Sequence, residues 1–79
     1  MSSVKNFADN LLYIMGERCL NKSDISRLTG LSNSFVGGVL NEGGNISLEK
    51  AEKVAKSLHV ELWIMVLPSK QAVRLIKAG

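Results

Sequence analysis

Amide and hydroxyl side chains are concentrated between residues 21 and 45 of this chain. Those that could contact a partner include Asn21, Ser32, Asn33, Ser34, Asn41 and Asn45. An amide carries a donor and an acceptor side by side, and a hydroxyl can act as either. Such groups suit hydrogen bonding to base edges and phosphates better than they suit nucleophilic or acid–base chemistry.

The two residues with nucleophilic or metal-binding chemistry each stand alone. Cys19 is the single cysteine, so it can form no internal disulfide, and it has no spaced partners for a metal site. His59 is the single histidine, and no set of Ser, His and carboxylate is evident. We therefore predict that the protein is not an enzyme and has no cofactor, metal or small-molecule ligand.

Length and composition favour a single globular domain over residues 1–79. Hydrophobic residues make up 46% and charged residues 22%, which is typical of a folded chain. No apolar run reaches the roughly 18 residues of a membrane span. We therefore predict a cytoplasmic protein without a membrane partner. The net charge of +3 and a pI near 9.3 fit a polyanionic partner.

The segment 21–41 predicts two short helices joined by a tight turn. Asn21 is suited to cap the first helix, which begins near Lys22. Gly30 can take the positive φ that ends this helix and redirects the chain, and Ser32 is suited to cap the second helix over residues 32–40. Helical spacing predicts inward side chains at Ile25, Leu28, Thr29, Val36, Val39 and Leu40, and outward residues at Asn33, Ser34, Gly37, Gly38 and Asn41. This pattern is that of a helix-turn-helix, which places its second helix in a DNA major groove.

The motif has a family likeness. A small residue in the first helix, glycine at the turn, a hydrophobic residue and serine are present as Ser26, Gly30, Leu31 and Ser32, with later apolar positions at Val36 and Val39. Residues 20–60 thereby resemble the Cro/CI-type helix-turn-helix family of phage-repressor-like regulators. The sequence departs from the family with Lys22 in place of glutamine and Cys19 in place of glycine. Gly37 and Gly38 stand where longer side chains commonly read bases.

The resemblance implies a compact, all-α, lambda-repressor-like bundle of five to six short helices that binds double-stranded DNA. The base-contacting positions it implies are Ser32, Asn33, Ser34, Phe35, Gly37 and Gly38, and the phosphate-contacting positions are Asn21, Lys22, Asn41 and Asn45. Two roles stay open for Phe35, which can cover a thymine methyl or close the core. Two also stay open for the glycine pair, which either allows close backbone approach or is not read.

Three further helices flank the motif. The first, over residues 4–18, has an apolar stripe of Val4, Phe7, Leu11, Ile14 and Met15. Ser47 is suited to cap the next, over 48–58, with inward residues Leu48, Ala51, Val54, Ala55 and Leu58, and with Glu49, Lys50, Glu52, Lys53 and Lys56 facing water. Pro68 precedes the last helix, over 70–77.

Residues 60–67 are apolar at nearly every position, so periodicity alone does not define their structure. The resemblance implies a short helix, and the β-branched content also fits a strand that pairs with its twin in a dimer. On either reading the apolar surface exceeds what a small domain can bury. We predict a C-terminal dimerisation segment over about 60–79, with contacts at Leu62, Trp63, Ile64 and Val66.

The function predicted from these features is sequence-specific regulation of transcription by a homodimeric repressor at a palindromic operator, in a prokaryotic cell or encoded by a phage or plasmid. Two alternatives remain. One is the antitoxin of a toxin–antitoxin pair, and the other is a protein-interaction module that has lost DNA binding.

Overall fold

The computed structural model describes residues 3–42 and 46–78, which form six helices and, within those ranges, no strand. The helices are α1 (Ser3–Arg18), α2 (Lys22–Thr29), α3 (Asn33–Glu42), α4 (Leu48–Ser57), α5 (Leu62–Met65) and α6 (Ser69–Ala78). The predicted all-α bundle is confirmed, with helix bounds shifted by one or two residues. The strand alternative for 60–67 is wrong, because this segment forms α5 and a turn before Pro68.

The core lies between α1 and the helices that surround it. α1 packs against α3, α5 and α6, while α2 packs against α3 and α4. The largest fully buried apolar side chains are Phe7, Leu11, Ile14, Ile25, Leu58 and Met65. Burying one such side chain contributes about 1.5–3 kcal/mol, so these contacts hold the short helices in place.

Two leucines that were predicted to face the core are exposed instead. Leu28 is 49% exposed and Leu48 is 72% exposed. In α2, Ile25 and Thr29 occupy the buried face, and Leu28 lies to one side of it. Leu48 is the first residue of α4, one turn before Ala51, which is the first buried residue of that helix. The apolar pattern predicted the helices correctly but assigned too many residues to their buried faces.

Two helices end in a Schellman motif whose left-handed residue is not glycine. After α1, Leu20 N–H donates to Met15 O at 2.8 Å, and Cys19 has a φ of 55°. After α4, Val60 N–H donates to Ala55 O at 3.0 Å, and His59 has a φ of 58°. The motif satisfies the last carbonyls of each helix. Cys19 and His59 therefore end the two helices. The left-handed conformation that they adopt is unfavourable for residues with a Cβ atom.

Replacing Cys19 with glycine is expected to stabilise the domain by about 0.5–1 kcal/mol. Glycine removes the Cβ clash of the left-handed conformation, and the larger entropy that it loses on folding offsets part of that gain. Urea denaturation measures the difference. His59→Gly is the matched variant, with a gain of similar size, and Gly30→Ala should have the opposite sign because Gly30 has a φ of 78°. A loss of stability in Cys19→Gly would contradict this account.

A buried amide connects α1 to the segment after α5. Asn10 is completely buried, and its Nδ2 donates to Met65 O at 2.8 Å and to Leu67 O at 2.9 Å. One turn earlier, Asn6 Nδ2 donates to Val66 O at 3.1 Å. These bonds satisfy carbonyls that the four-residue α5 leaves without helical partners. They therefore fix the path of residues 64–67 against α1.

Candidate nucleic-acid interface

Side chains of α2 hold the turn that sets the direction of α3. Gly30 has a φ of 78°, and its N–H donates to Ser26 O at 2.8 Å. The Ser26 hydroxyl donates to Leu31 O. Thr29 Oγ1 donates to Ile25 O at 2.7 Å and accepts from Leu31 N–H at 3.2 Å. The turn is therefore bonded on both sides, and we expect α3 to be held rigidly against α2.

Both helices of the motif are capped as predicted. Asn21 and Asp24 form a reciprocal capping box, in which each side chain accepts from the other residue's backbone N–H, at 2.8 and 2.9 Å. The hydrogen bond from Asn21 N–H, followed by the one from Arg27, holds the pKa of the Asp24 carboxyl below its usual range. Ser32 Oγ accepts from Phe35 N–H at 3.1 Å. Ser32 thus begins α3 as its cap and lies just before the helix.

The two faces of α3 separate as the sequence predicted. Val36 and Val39 are buried, and Leu40 packs against the core from the edge. Three polar residues are exposed on the other side, namely Asn33, Ser34 and Asn41. No described residue of the same chain covers this face. The polar side chains are therefore accessible to a partner.

The glycine pair occupies this face without a packing reason in the described part of the chain. A methyl group added to Gly38 would have no atom within 4 Å. One added to Gly37 would lie 3.8 Å from both Cδ and Nζ of Lys22, which is ordinary van der Waals contact. Lys22 itself is exposed. The fold would accept alanine at both positions, so packing does not explain the glycines.

Phe35 has one of the two roles that the sequence left open, because it packs against the core. Its ring is half-buried and packs against the core, while Lys50 Nζ lies 4.5 Å from the ring centroid. The sequence pattern predicts that Lys50 faces water, and it does not predict this contact with Phe35. A helical wheel shows that Lys50 is exposed but cannot show which neighbouring helix its side chain reaches.

The sequence-predicted site residues are brought together in two groups. Asn33 to Gly38 lie on the first two turns of α3, Ser32 is the cap just before them, and Lys22 lies beside Gly37 on α2. Asn21 lies at the start of α2 and Asn41 in the last turn of α3, so both flank the same surface. Asn45 lies outside the described residues. Because each exposed group here is an amide, hydroxyl, glycine or ammonium, the surface can donate and accept hydrogen bonds but offers no acid–base pair.

The predicted dimer contacts lie near α5, on another part of the molecule. Trp63 is 56% exposed, so its ring is not part of the core of the single chain. Leu62, Ile64 and Val66 are partly buried. A groove of about 440 Å³ lies beside them, lined by Phe7, Ile46, Leu48, Ala51, Leu62, Trp63 and Val66. Its lining is mostly apolar, and two of its side chains, Leu48 and Trp63, are exposed.

No protein-family model, curated protein or solved structure matches this chain. Within residues 3–42 and 46–78, no three His, Cys, Asp or Glu residues are grouped so that they could hold a metal ion. None of the helices in those ranges has the length and apolar character needed to cross a membrane. The family likeness therefore depends on the sequence motif alone.

Proposed function

We propose that this protein is a sequence-specific double-stranded DNA-binding regulator of transcription that acts as a homodimeric repressor at a palindromic operator. One observation carries the proposal. The polar face of α3 is exposed, while its apolar face is fixed to the core by Val36 and Val39. A short helix presented in this way after a glycine turn has the form of a recognition helix.

Each exposed group then has a role in the groove. Asn33 can pair with adenine through two hydrogen bonds, and Ser34 can donate to or accept from several bases. Ser32 contributes mainly as the cap that begins the helix, and the exposed edge of the Phe35 ring is available to a thymine methyl. Lys22, Asn21 and Asn41 contact phosphates, which positions the helix without reading sequence.

A homodimer through the α5 face explains the exposed apolar side chains. Trp63 and Leu48 are together the most exposed large apolar residues near the groove, and large aromatic residues dominate such contacts. Two α3 helices related by a dyad bind half-sites about 34 Å apart. A repressor of this kind acts by occupying the promoter.

The decisive experiment is selection of bound fragments from random duplexes, followed by mobility shift on the selected site. We expect a palindrome, because one result then reports specificity, symmetry and spacing. If the protein binds no duplex at low salt, or shows no preference over random DNA, DNA recognition is wrong. The exposed groove around Trp63 would then favour the protein-interaction module.

Two substitutions separate base reading from phosphate contact. Asn33→Ala is expected to cost about 1–3 kcal/mol on the selected site and to relax preference at one base pair. Lys22→Ala is expected to weaken all sequences alike and to reduce the slope of log K against log salt by about 0.9. Competition shift assays over single-base operator variants measure both effects. An unchanged ranking of variants for Asn33→Ala would remove that residue from the base-reading set.

A further inference from the structure

Two lysines from different helices reach α3 at two neighbouring positions. Lys22, the first residue of α2, lies along Gly37, where an added methyl would be 3.8 Å from its Cδ and Nζ. Lys50, in the first turn of α4, has its Nζ 4.5 Å from the centre of the Phe35 ring. Each ammonium therefore lies beside a residue of α3, and both lysines are exposed.

These two contact points lie on opposite flanks of the helix. Positions 35 and 37 are two residues apart, which is a rotation of about 200° at 3.6 residues per turn. The arc of about 160° that completes the circle faces solvent. It contains Ser34, Gly38 and Asn41, which are exposed or half-exposed. The two lysines thus bracket the part of the polar face that carries Ser34, Gly38 and Asn41.

We infer that Lys22 and Lys50 form a two-sided phosphate clamp, in which each lysine contacts the backbone on one side of the groove that α3 enters. This inference rests on the proposed function and adds Lys50 to the interface. A major groove about 12 Å wide has a phosphate backbone along each edge, so an inserted helix meets anions on both flanks. A cation on one flank alone would leave the helix free to tilt.

The charges around the two lysines support this choice over other cations. Arg27, the other cation of α2, donates to Asp24 Oδ1 at 2.6 Å, and its charge is partly balanced there. Neither Lys22 nor Lys50 forms an ion pair with a carboxylate of the described residues. The ring of Phe35 is a positioning element for Lys50, because a cation–π contact attracts the ammonium without neutralising it.

Salt titration of duplex binding tests the clamp with Lys50→Gln and the double variant Lys22→Gln/Lys50→Gln. Glutamine keeps most of the side-chain length and removes the charge. A random-sequence duplex of about two helical turns is a sufficient probe, because phosphate contacts do not depend on sequence. Lys56→Gln is the matched control, since Lys56 is exposed on the same helix and outside the clamp. Circular dichroism melting verifies that every variant is folded.

The expected result is a salt slope smaller by about 0.9 for Lys50→Gln and by about 1.8 for the double variant, with no change for Lys56→Gln. Equal slopes for Lys50→Gln and Lys56→Gln would overturn the clamp. In that case the proposed function still stands if Asn33→Ala changes the ranking of operator variants. A wild-type chain that binds no duplex at low salt overturns both proposals.

A double-mutant cycle tests the positioning role of Phe35. Phe35→Leu keeps an apolar side chain against the core but removes the ring under Lys50. We expect it to lower affinity for the random duplex about threefold, with the salt slope unchanged because the charge is still present. In a Lys50→Gln background the same substitution should have no further effect. An equal loss in both backgrounds would show that Phe35 does not act through Lys50.

Discussion

Replacing Asn10 with aspartate is expected to destabilise the domain by about 3–5 kcal/mol, the usual cost of an unpaired buried charge. The Asn10 amide donates to the carbonyls of Met65 and Leu67 at 2.8 and 2.9 Å, and a third carbonyl, of Ile64, lies 3.5 Å away. A carboxylate has the same shape but would place negative charge against these oxygens. A small domain is stable by only about 5–10 kcal/mol, so much of the folded state would be lost.

Urea denaturation at two pH values separates the effect of a buried charge at position 10 from the effect of losing the amide's hydrogen bonds. Burial raises the pKa of the new carboxyl, so the deficit is full at neutral pH and shrinks as pH falls to about 4. Asn10→Leu has no such pH dependence and is expected to cost about 1–3 kcal/mol through the unsatisfied carbonyls. Asn6→Asp is the milder control, because Asn6 is only half-buried and donates to one carbonyl. Equal costs for Asn10→Asp and Asn10→Leu would show that the carbonyl cluster is not the cause.

Local sequence signals were sufficient to predict α1, α2, α3 and α4. Apolar spacing gave α1 and α4, and the caps at Asn21, Ser32 and Ser47 gave the starts of α2, α3 and α4 to within a residue. These signals succeed because they act over one or two helical turns. The tight turn at Gly30 was likewise predictable, since positive φ favours glycine.

The contacts between distant segments were not predictable in the same way. Asn10 lies on the apolar stripe of α1, and an amide in that position indicates a buried partner without identifying it. Its partners are carbonyls 55 and 57 residues away. These bonds fix the path of residues 64–67, whereas the pattern of 60–67, apolar at nearly every position, left both helix and strand open.

The sequence predicted which face of α3 is exposed, but it did not predict which residues of other helices lie beside that face. The spacing of Val36 and Val39 determines which side of α3 is exposed, so Asn33, Ser34 and Asn41 followed from it. Lys50 did not follow, because its contact with Phe35 depends on how α4 lies beside α3. Charges on a solvated helix face can thus belong to a binding site that only the packing of helices defines.

Replacing both glycines of α3 with alanine is expected to stabilise the free protein by about 2 kcal/mol, at roughly 1 kcal/mol for each position. No described residue lies within 4 Å of a methyl on Gly38, and the contact at Gly37 is an ordinary one with Lys22. For a domain of this size the gain raises the melting temperature by about 4–8 °C per kcal/mol. Differential scanning calorimetry measures it.

The same double variant is expected to bind the selected operator about tenfold more weakly, a loss of about 1.4 kcal/mol. Added methyls would keep the α3 backbone away from the base edges, so a more stable protein would be a poorer binder. Gly16→Ala is the matched control, because Gly16 is an exposed helical glycine on α1 with open space around it. It should gain stability and keep full affinity. If the double variant also kept full affinity, close backbone approach would be wrong and positions 37 and 38 would be unread. Since the fold tolerates alanine at both sites, a loss of affinity in a stabilised protein would not come from unfolding, and it would support a binding role for this face of α3.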